Sequence, residues 1–301
     1  MMKKALTVMM AGFLITCCLL LSAGPSGAAP GIIQLATRSG FWGNDFPDGP
    51  LFLQHVYYYS FDELWDNKGK DIDIPDSSVT ATFSRLIGVS HFGADNQYQY
   101  VIEAILPYYN FSMEESSSSA NDSLHESGFG HPFFYNSIGW NNPAKTTHLT
   151  AYLAAQIPVG NSDVMDIMGN NSWALLPGVS IQQRFGTFQI EGSLAYWYNF
   201  EDLDSDARGN DYFEANIIAT KKFAATYPWW IYLQGDYTNY QESDDDEGHG
   251  LNDDGYNWTV APGIGVAIRP NITLDLKYAI DVDGENTSKG QAFNFRVLWK
   301  F

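Results

Sequence analysis

Two places in the sequence bring a hydroxyl side chain close to a histidine, as a nucleophile and its base would require. Ser90 is followed directly by His91, and His148 lies two residues before Thr150. Adjacent residues of an extended strand point to opposite faces, so Ser90 and His91 cannot work together, whereas His148 and Thr150 share a face but include no serine. Neither G-x-S-x-G nor H-E-x-x-H occurs in the chain. The spacing of these residues therefore gives little support to the hypothesis that the protein is an enzyme.

A second candidate for chemistry is the acidic segment 242–254, which contains the run DDDEGHGLNDD. Carboxylate and carbonyl oxygens suit Ca²⁺, but the spacing does not match the D-x-D-x-D-G pattern of an EF-hand loop. His249 adds no metal-ligand spacing. The sequence favours a solvated loop that faces lipopolysaccharide, with metal ions bridging the lipid phosphates. No resident metal and no cofactor are expected.

The C-terminal segment QAFNFRVLWKF, 291–301, indicates that β-strands position the polar residues of this chain. Its apolar residues alternate with Asn294, Arg296 and other polar ones, so a strand there has one apolar face and one mostly polar face. The closing strand of a bacterial outer-membrane barrel has this pattern and carries the assembly signal, for which Trp299 and Phe301 are the candidates. The last strand of a soluble sandwich would show the same period of two.

Twelve segments have the alternation and the bounding turn residues of strands. They are 51–61, 79–91, 97–107, 129–140, 147–157, 173–184, 188–200, 211–223, 229–240, 255–268, 272–283 and 291–301. Long connections alternate with short ones and contain most of the acidic residues: 62–78, 108–128, 158–172, 201–210 and 241–254, with 284–290 on the same side. This predicts an all-β fold, a transmembrane up-and-down antiparallel β-barrel of about 12 strands, with the long connections external and both termini periplasmic.

The N-terminus predicts export from the cytoplasm. Lys3 and Lys4 precede an apolar run and a small-residue segment, which predicts a signal peptide at 1–28; a lipoprotein cleaved before Cys17 is the alternative. The only cysteines leave with this segment, so the mature chain has no disulfide. Residues 29–50 are expected to form a periplasmic or plug segment and 51–301 the barrel. A net charge of −19 does not suit a nucleic-acid partner.

Strand parity assigns a set of polar residues to the inner face of the barrel. They are Glu103, His148, Gln189, Glu191, Glu214, Asp236, Asp275, Lys277, Asp281, Asn294 and Arg296. An enclosed ionisable group keeps its charge only with water or a partner, so the lumen either conducts solute or is filled by polar contacts or an inward-folded loop. The selectivity candidates are Glu103, Glu191, Glu214, Asp236, Asp275, Lys277 and Arg296, whose acidic excess favours cations.

On the outer face, aromatic residues near strand ends are expected to form the two interfacial girdles, although core aromatics would give the same pattern. They are Tyr98, Tyr108, Tyr198, Trp229, Trp258 and Trp299. One segment conflicts with this scheme, because Arg85 stands among residues that are expected to face outward: Val79, Ala81, Phe83 and Ile87. Arginine facing lipid costs about 2–4 kcal/mol at mid-membrane, so a bulge or another register is expected there.

From about Val79 onward the chain resembles the outer-membrane family labelled putative meta-pathway of phenol degradation. The resemblance is carried by SGFGHPFFYNSIGW at 127–140, IPVG at 157–160, GNNSWALLPGVSIQQRFG at 169–186, EGSLAYWYNF at 191–200 and the closing Phe301. His131 and Val159 depart from the family's pattern, which often has Asp and Thr at these positions. The resemblance implies passage of small, hydrophobic or aromatic compounds across the outer membrane, and no enzymatic role in phenol breakdown.

The expected function is therefore passive passage of a small-molecule solute through a channel in the outer membrane of a Gram-negative bacterium. The expected partners are outer-membrane lipid, lipopolysaccharide and the barrel assembly machinery, which would read the C-terminal strand. Two alternatives remain. One is an outer-membrane hydrolase acting on lipid or lipopolysaccharide, and the other is a structural or surface-recognition barrel with a blocked lumen.

Overall fold

The computed structural model describes residues 46–113, 124–160, 171–203, 208–224, 226–241 and 254–301. The predicted signal peptide, most of the predicted segment 29–50 and nearly all of the acidic segment 242–254 lie outside these ranges. The described strands are β1 Gly49–Trp65, β2 Asp71–Phe92, β3 Tyr98–Met113, β4 Leu124–Phe129, β5 Phe133–Asn141, β6 Thr147–Gln156, β7 Ala174–Phe185, β8 Phe188–Asn199, β9 Tyr212–Phe223, β10 Trp229–Tyr240, β11 Gly255–Arg269, β12 Ile272–Glu285 and β13 Thr287–Lys300. Among the same residues, no helix is long and apolar enough to cross a membrane.

The strands form one antiparallel sheet that closes on itself. Each strand pairs with its neighbours in the chain, except that β5 pairs with β3 and not with β4, and β1 pairs with both β2 and β13. Because β4 and β5 both pair with β3, one beyond the other, they share a single position in the wall. The thirteen strands therefore occupy twelve positions, and the predicted twelve-stranded up-and-down barrel is confirmed.

The shared position is interrupted at Gly130, His131 and Pro132, near the start of the predicted strand 129–140. The interrupted backbone still finds partners, since the Gly130 N–H donates to the Pro107 carbonyl at 3.1 Å and the Ile157 N–H donates to the Pro132 carbonyl at 3.0 Å. Proline has no N–H to offer to a ladder, so such a residue favours a break in the strand.

The connections alternate between the two ends of the barrel. The end that holds the start of β1 and the finish of β13, here called the terminal end, carries the short connections 93–97, 142–146, 186–187, 224–228 and 270–271. The opposite, distal end carries the remaining connections. Three of the predicted long connections are shorter than expected. The strands leave only 66–70 between β1 and β2, 114–123 between β3 and β4, and Asn286 between β12 and β13.

The outer face of the wall is apolar along most strands. Its exposed side chains include Leu86, Ile102, Leu106, Ile138, Val179, Ile181, Leu194, Ile217, Leu233, Ile264, Leu276, Phe293 and Phe295. Four of the predicted girdle residues are among the exposed large side chains: Tyr108, Tyr198, Trp258 and Trp299. Tyr98 and Trp229 are partly exposed, and the Trp229 ring stacks on Phe223 with 4.1 Å between centroids.

The expected orientation of β2 is wrong. Val79, Ala81, Phe83 and Ile87 face the interior, where each is at most 3 % exposed, and Arg85 faces inward with them without a bulge between β2 and β3. The outer face of this part of β2 instead carries Thr and Ser side chains next to the exposed Leu86. The sequence scheme failed here because it assigned every apolar face to lipid, whereas the interior of this barrel contains an apolar cluster of its own.

We expect Leu276→Arg, in the middle of the outer face of β12, to destabilise the folded barrel in lipid vesicles by about 2–4 kcal/mol, because the new charge meets hydrocarbon. Urea titration followed by tryptophan fluorescence measures the change. The control is Asn271→Arg, in the exposed turn between β11 and β12. Equal stability of the two variants would contradict the lipid-facing assignment of Leu276.

Candidate functional site in the barrel interior

The polar residues predicted to face inward lie on the inner wall. All of them are buried except Glu214, which is half-buried: Glu103, His148, Gln189, Glu191, Asp236, Asp275, Lys277, Asp281, Asn294 and Arg296. They come from strands distributed around the wall, so only the closed barrel brings them together. Several of these charged groups have hydrogen-bond partners on other strands.

Arg85 and Glu103 form an ion pair between β2 and β3. Arg85 Nη2 donates to Glu103 Oε2 at 2.9 Å, and Arg85 Nε donates to the other carboxylate oxygen. Both side chains are at most 3 % exposed. Sequence reasoning selected Glu103 but treated Arg85 as a misfit, because the two residues stand 18 positions apart and only the pairing of β2 with β3 shows that they meet.

A second ion pair links β12 to β13. Arg296 Nε donates to Asp275 Oδ1 at 2.8 Å, and the hydroxyl of Tyr232 on β10 donates to the same carboxylate at 2.8 Å. The Tyr232 ring reaches this carboxylate by lying over Gly263 on β11, where an added Cβ would stand 2.1 Å from the ring. The absence of a side chain at Gly263 therefore leaves the space in which Tyr232 crosses β11 to reach Asp275.

Polar contacts continue from Lys277 toward β9. Lys277 Nζ donates to Gln234 Oε1 at 3.0 Å, and Gln234 Nε2 donates to Asp236 at 2.9 and 3.0 Å. Asn216 also donates to Asp236. The amide of Gln234 therefore links the Lys277 ammonium to the Asp236 carboxylate through hydrogen bonds.

Asp281 is held nearer the distal end. It accepts hydrogen bonds from the Tyr59 hydroxyl at 2.8 Å, from the Thr259 hydroxyl at 2.7 Å and from the Gly290 N–H at 3.2 Å. These donors come from β1, β11 and β13. The Asp281 carboxylate therefore links β1 and β13, the two strands that close the barrel, through hydrogen bonds.

Aromatic side chains pack together on the inner wall near the distal end, and sequence reasoning missed them. Phe133 packs edge-on against Trp197, with ring centroids 5.7 Å apart, and Trp197 stacks on Tyr212 at 5.2 Å. Tyr212 in turn contacts Tyr240 at 6.0 Å. All four residues occupy inward positions in the alternation of their strands, so the sequence could have indicated them. A single inward-facing aromatic residue, however, does not by itself predict a cluster. With the apolar cluster on β1 to β3, they make part of the lining apolar.

The histidine and threonine pair of β6 forms a hydrogen-bonded chain. His148 Nε2 lies 2.9 Å from the Thr150 hydroxyl, and His148 Nδ1 lies 3.1 Å from Asn141 Oδ1 on β5. This is the connectivity of a nucleophile, a base and an orienting group. All three side chains are at most 5 % exposed, on the inner wall, and the hydroxyl is a threonine. Across the described ranges, no cluster of three or more His, Cys, Asp and Glu side chains is placed to hold a metal.

Two separate parts of the sequence resemblance meet in the wall. His131, from the first motif, accepts the Gly160 N–H of the second at its Nδ1, at a distance of 2.8 Å. An added Cβ at Gly160 would lie 2.8 Å from both this nitrogen and the Gly130 carbonyl carbon. The histidine that departs from the family pattern therefore serves as an acceptor for backbone at the interruption between β4 and β5.

The sequence matches the family described as Putative MetA-pathway of phenol degradation over residues 61–297. No curated protein matches the chain in sequence. Among solved structures, the chain is similar to the COG4313 outer membrane channel from Pseudomonas putida F1, with a TM-score of 0.75 and 16 % identity over 91 % of this chain and 100 % of that chain. It is also similar to the β domain of the Bordetella autotransporter BrkA, with a TM-score of 0.53 and 10 % identity over 84 % and 100 % of the two chains. The fold is that of an outer-membrane β-barrel.

We expect Glu103→Gln to destabilise the barrel by about 3–5 kcal/mol, because the buried Arg85 guanidinium loses its carboxylate. The double variant Arg85→Met with Glu103→Leu should recover most of this loss, since it removes both charges from the apolar surroundings. Urea unfolding in lipid vesicles measures both.

The matched control for the ion pair is Lys289→Met at the distal end of β13, where the carboxylates of Glu63 and Asp71 are 35 % and 50 % exposed. It should change the stability much less than Glu103→Gln, because solvent screens the exposed pair. A double variant no more stable than Glu103→Gln would show that the charge imbalance is not the cause of the loss.

Proposed function

Because this chain belongs to the family described as Putative MetA-pathway of phenol degradation, we propose that it is a passive outer-membrane channel for small solutes that are apolar or aromatic over part of their surface. The observation that supports this function best is the mixed lining of the interior. Apolar side chains line it from β1 to β3, and charged or amide side chains line it from β8 to β13. A solute with an apolar body and a polar group can contact both.

The proposal includes an orientation in the membrane. The terminal end would face the periplasm, since Lys145, Arg184, Lys221, Lys222, Arg269 and Lys300 lie near it. The distal connections would then contact lipopolysaccharide. The chain would be exported by its signal peptide, 1–28, and assembled through the C-terminal strand, with Trp299 and Phe301 read by the barrel assembly machinery. Transport would need no cofactor and no energy input.

The proposed selectivity residues do not contribute equally. Glu103, Asp275 and Arg296 form ion pairs whose charges largely offset each other. Glu191, Glu214 and Asp236 belong to the adjacent strands β8, β9 and β10, and they make that side of the interior acidic. Lys277 lies on β12 and binds the amide of Gln234. The acidic side would set a preference for cations over anions, since a local negative potential concentrates counter-ions.

Conductance in planar bilayers tests this function. The wild-type protein should conduct ions with a preference for cations, read from the reversal potential in a salt gradient. The double variant Glu191→Gln with Glu214→Gln should conduct equally well with a cation preference lowered several-fold, because it removes two charges from the acidic side.

The control variant is Glu201→Gln, at an exposed position outside the barrel strands, and it should keep the wild-type preference. The absence of both conductance and solute uptake in swelling liposomes would contradict the channel. That result would favour a structural or surface-recognition barrel with a blocked lumen, in which the distal aromatic side chains fill the interior.

A hydrolase is the second candidate, and the chain of hydrogen bonds through Thr150, His148 and Asn141 is the observation that favours it. Turnover of a p-nitrophenyl ester by purified protein in detergent measures this activity. If the protein is a hydrolase, His148→Gln abolishes turnover, whereas His125→Gln on the exposed part of β4 leaves it unchanged. We expect no turnover from the wild type, because the threonine hydroxyl is enclosed on the inner wall.

A further inference from the structure

Two polar side chains on the inner wall are buried without hydrogen-bond partners. His55 on β1 is 0 % exposed and Asn294 on β13 is 1 % exposed. Among the residues that the structure describes, neither ring nitrogen of His55 and neither side-chain polar atom of Asn294 has a partner. Buried polar groups in folded proteins are normally satisfied, because each one left unpaired loses its hydration without compensation. These atoms are therefore candidates to bind a ligand.

The two residues lie side by side across the β1–β13 seam. His55 stands opposite Arg296 in the antiparallel ladder, and Tyr57 stands opposite Asn294. His55 and Asn294 are thus diagonal neighbours on the same face, within reach of a common small group. On the other side of β13, Lys277 stands opposite Asn294. The seam therefore brings two unpartnered hydrogen-bonding side chains beside two cationic ones.

Three cationic side chains lie close to the unpartnered groups of the seam. Arg296 stands opposite His55, and Arg85 stands opposite Leu53, the next inward residue of β1. Lys277 stands opposite Asn294. Arg85 and Arg296 are paired with carboxylates, and the Lys277 ammonium donates to the amide oxygen of Gln234. An anionic group at the seam would gain from these cations and from N–H donors of His55 and Asn294.

The rest of the surroundings are apolar. Leu53 is buried next to His55 on the inner face of β1, and Phe83 meets the His55 ring edge-on with centroids 6.4 Å apart. Ala81 and Ala292 continue the inner face toward the distal end with small, fully buried side chains. A ligand held at the seam by a charged group would therefore place the remainder of its surface against apolar side chains.

We propose that His55 and Asn294 form a binding subsite for the carboxylate of a monocarboxylate solute with an apolar body, aromatic or short aliphatic. The imidazole N–H and the amide N–H donate to the carboxylate, and the Arg296 and Lys277 cations stabilise its charge. This inference rests on the proposed passage of solutes through the barrel, and it assigns the chemical class of solute that the seam retains.

Isothermal titration calorimetry of the full-length mature protein in detergent tests the subsite with two probes of similar shape, benzoate and benzyl alcohol. The wild type should bind benzoate at least tenfold more tightly than benzyl alcohol, because only benzoate carries the charge that the seam recognises. Equal affinity for the two probes, or binding of neither, overturns the proposal without the use of any variant.

The variants His55→Phe and Asn294→Leu keep the approximate size of the side chain and remove the donors. Each should weaken benzoate binding about tenfold and leave binding of benzyl alcohol unchanged. His125→Phe, on the exposed part of β4, is the matched control and should bind both probes as the wild type does. The shift of the folded band on unheated gels checks that each variant forms a barrel. Wild-type benzoate affinity in folded seam variants overturns the assignment.

Conductance of the same preparation separates this inference from the proposed function. If the protein conducts ions but binds benzoate and benzyl alcohol equally, the proposed channel stands and the proposed subsite is overturned. If it binds benzoate selectively but conducts no ions, the subsite stands and the channel is overturned.

Discussion

The pairing of β1 with β13 is the interaction on which the rest of the structure depends. Inside a bilayer an unpaired N–H or carbonyl group costs several kcal/mol, so a sheet can cross the membrane only when it has no free edge. The ladder between these strands extends from Leu51 and Lys300 at the terminal end to Trp65 and Thr287 at the distal end. A sheet closed in this way has an inner and an outer surface. One face of each strand therefore lines the interior, and the other face contacts lipid.

The interior satisfies its buried charges locally. Arg85 has Glu103 from the next strand, and Arg296 has Asp275 from the next strand on the other side. Such a pair is costly to bury and is tolerated when its geometry and hydrogen bonding are good. Aromatic and aliphatic side chains occupy the space between these groups. A twelve-stranded barrel is wider than one that side chains fill easily and narrower than an open porin, and its interior accordingly combines packed and polar regions.

The break at Gly130, His131 and Pro132 shows how the wall tolerates an interruption. Pro107 on β3 and Pro132 each lack an N–H donor, and their carbonyl oxygens accept hydrogen bonds from the Gly130 and Ile157 N–H groups. The Gly160 N–H is accepted by His131. Three separated segments of the chain therefore meet at one place in the wall. Two of these segments belong to the sequence resemblance, and their backbones contact each other here.

The sequence by itself determined the strand segments, their number and the end of the barrel at which each connection lies. These features follow from a period of two and from turn residues, which are local properties of the chain. It also identified the inward polar residues where polar and apolar residues alternate cleanly, as in β12 and β13. The strand ends were less certain from sequence, since hairpin ladders such as that between β1 and β2 extend into polar segments.

Only the tertiary structure decided which face of β2 is inside, which carboxylate meets which cation, and which aromatic rings pack together on the inner wall. An apolar face can be buried against lipid or against the opposite wall, and the alternation along one strand is the same in both cases. The Arg85–Glu103 pair, the reach of Tyr232 over Gly263 and the juxtaposition of His55 with Asn294 each depend on the register between strands. Register is a property of two segments together, so no single segment of the sequence contains it.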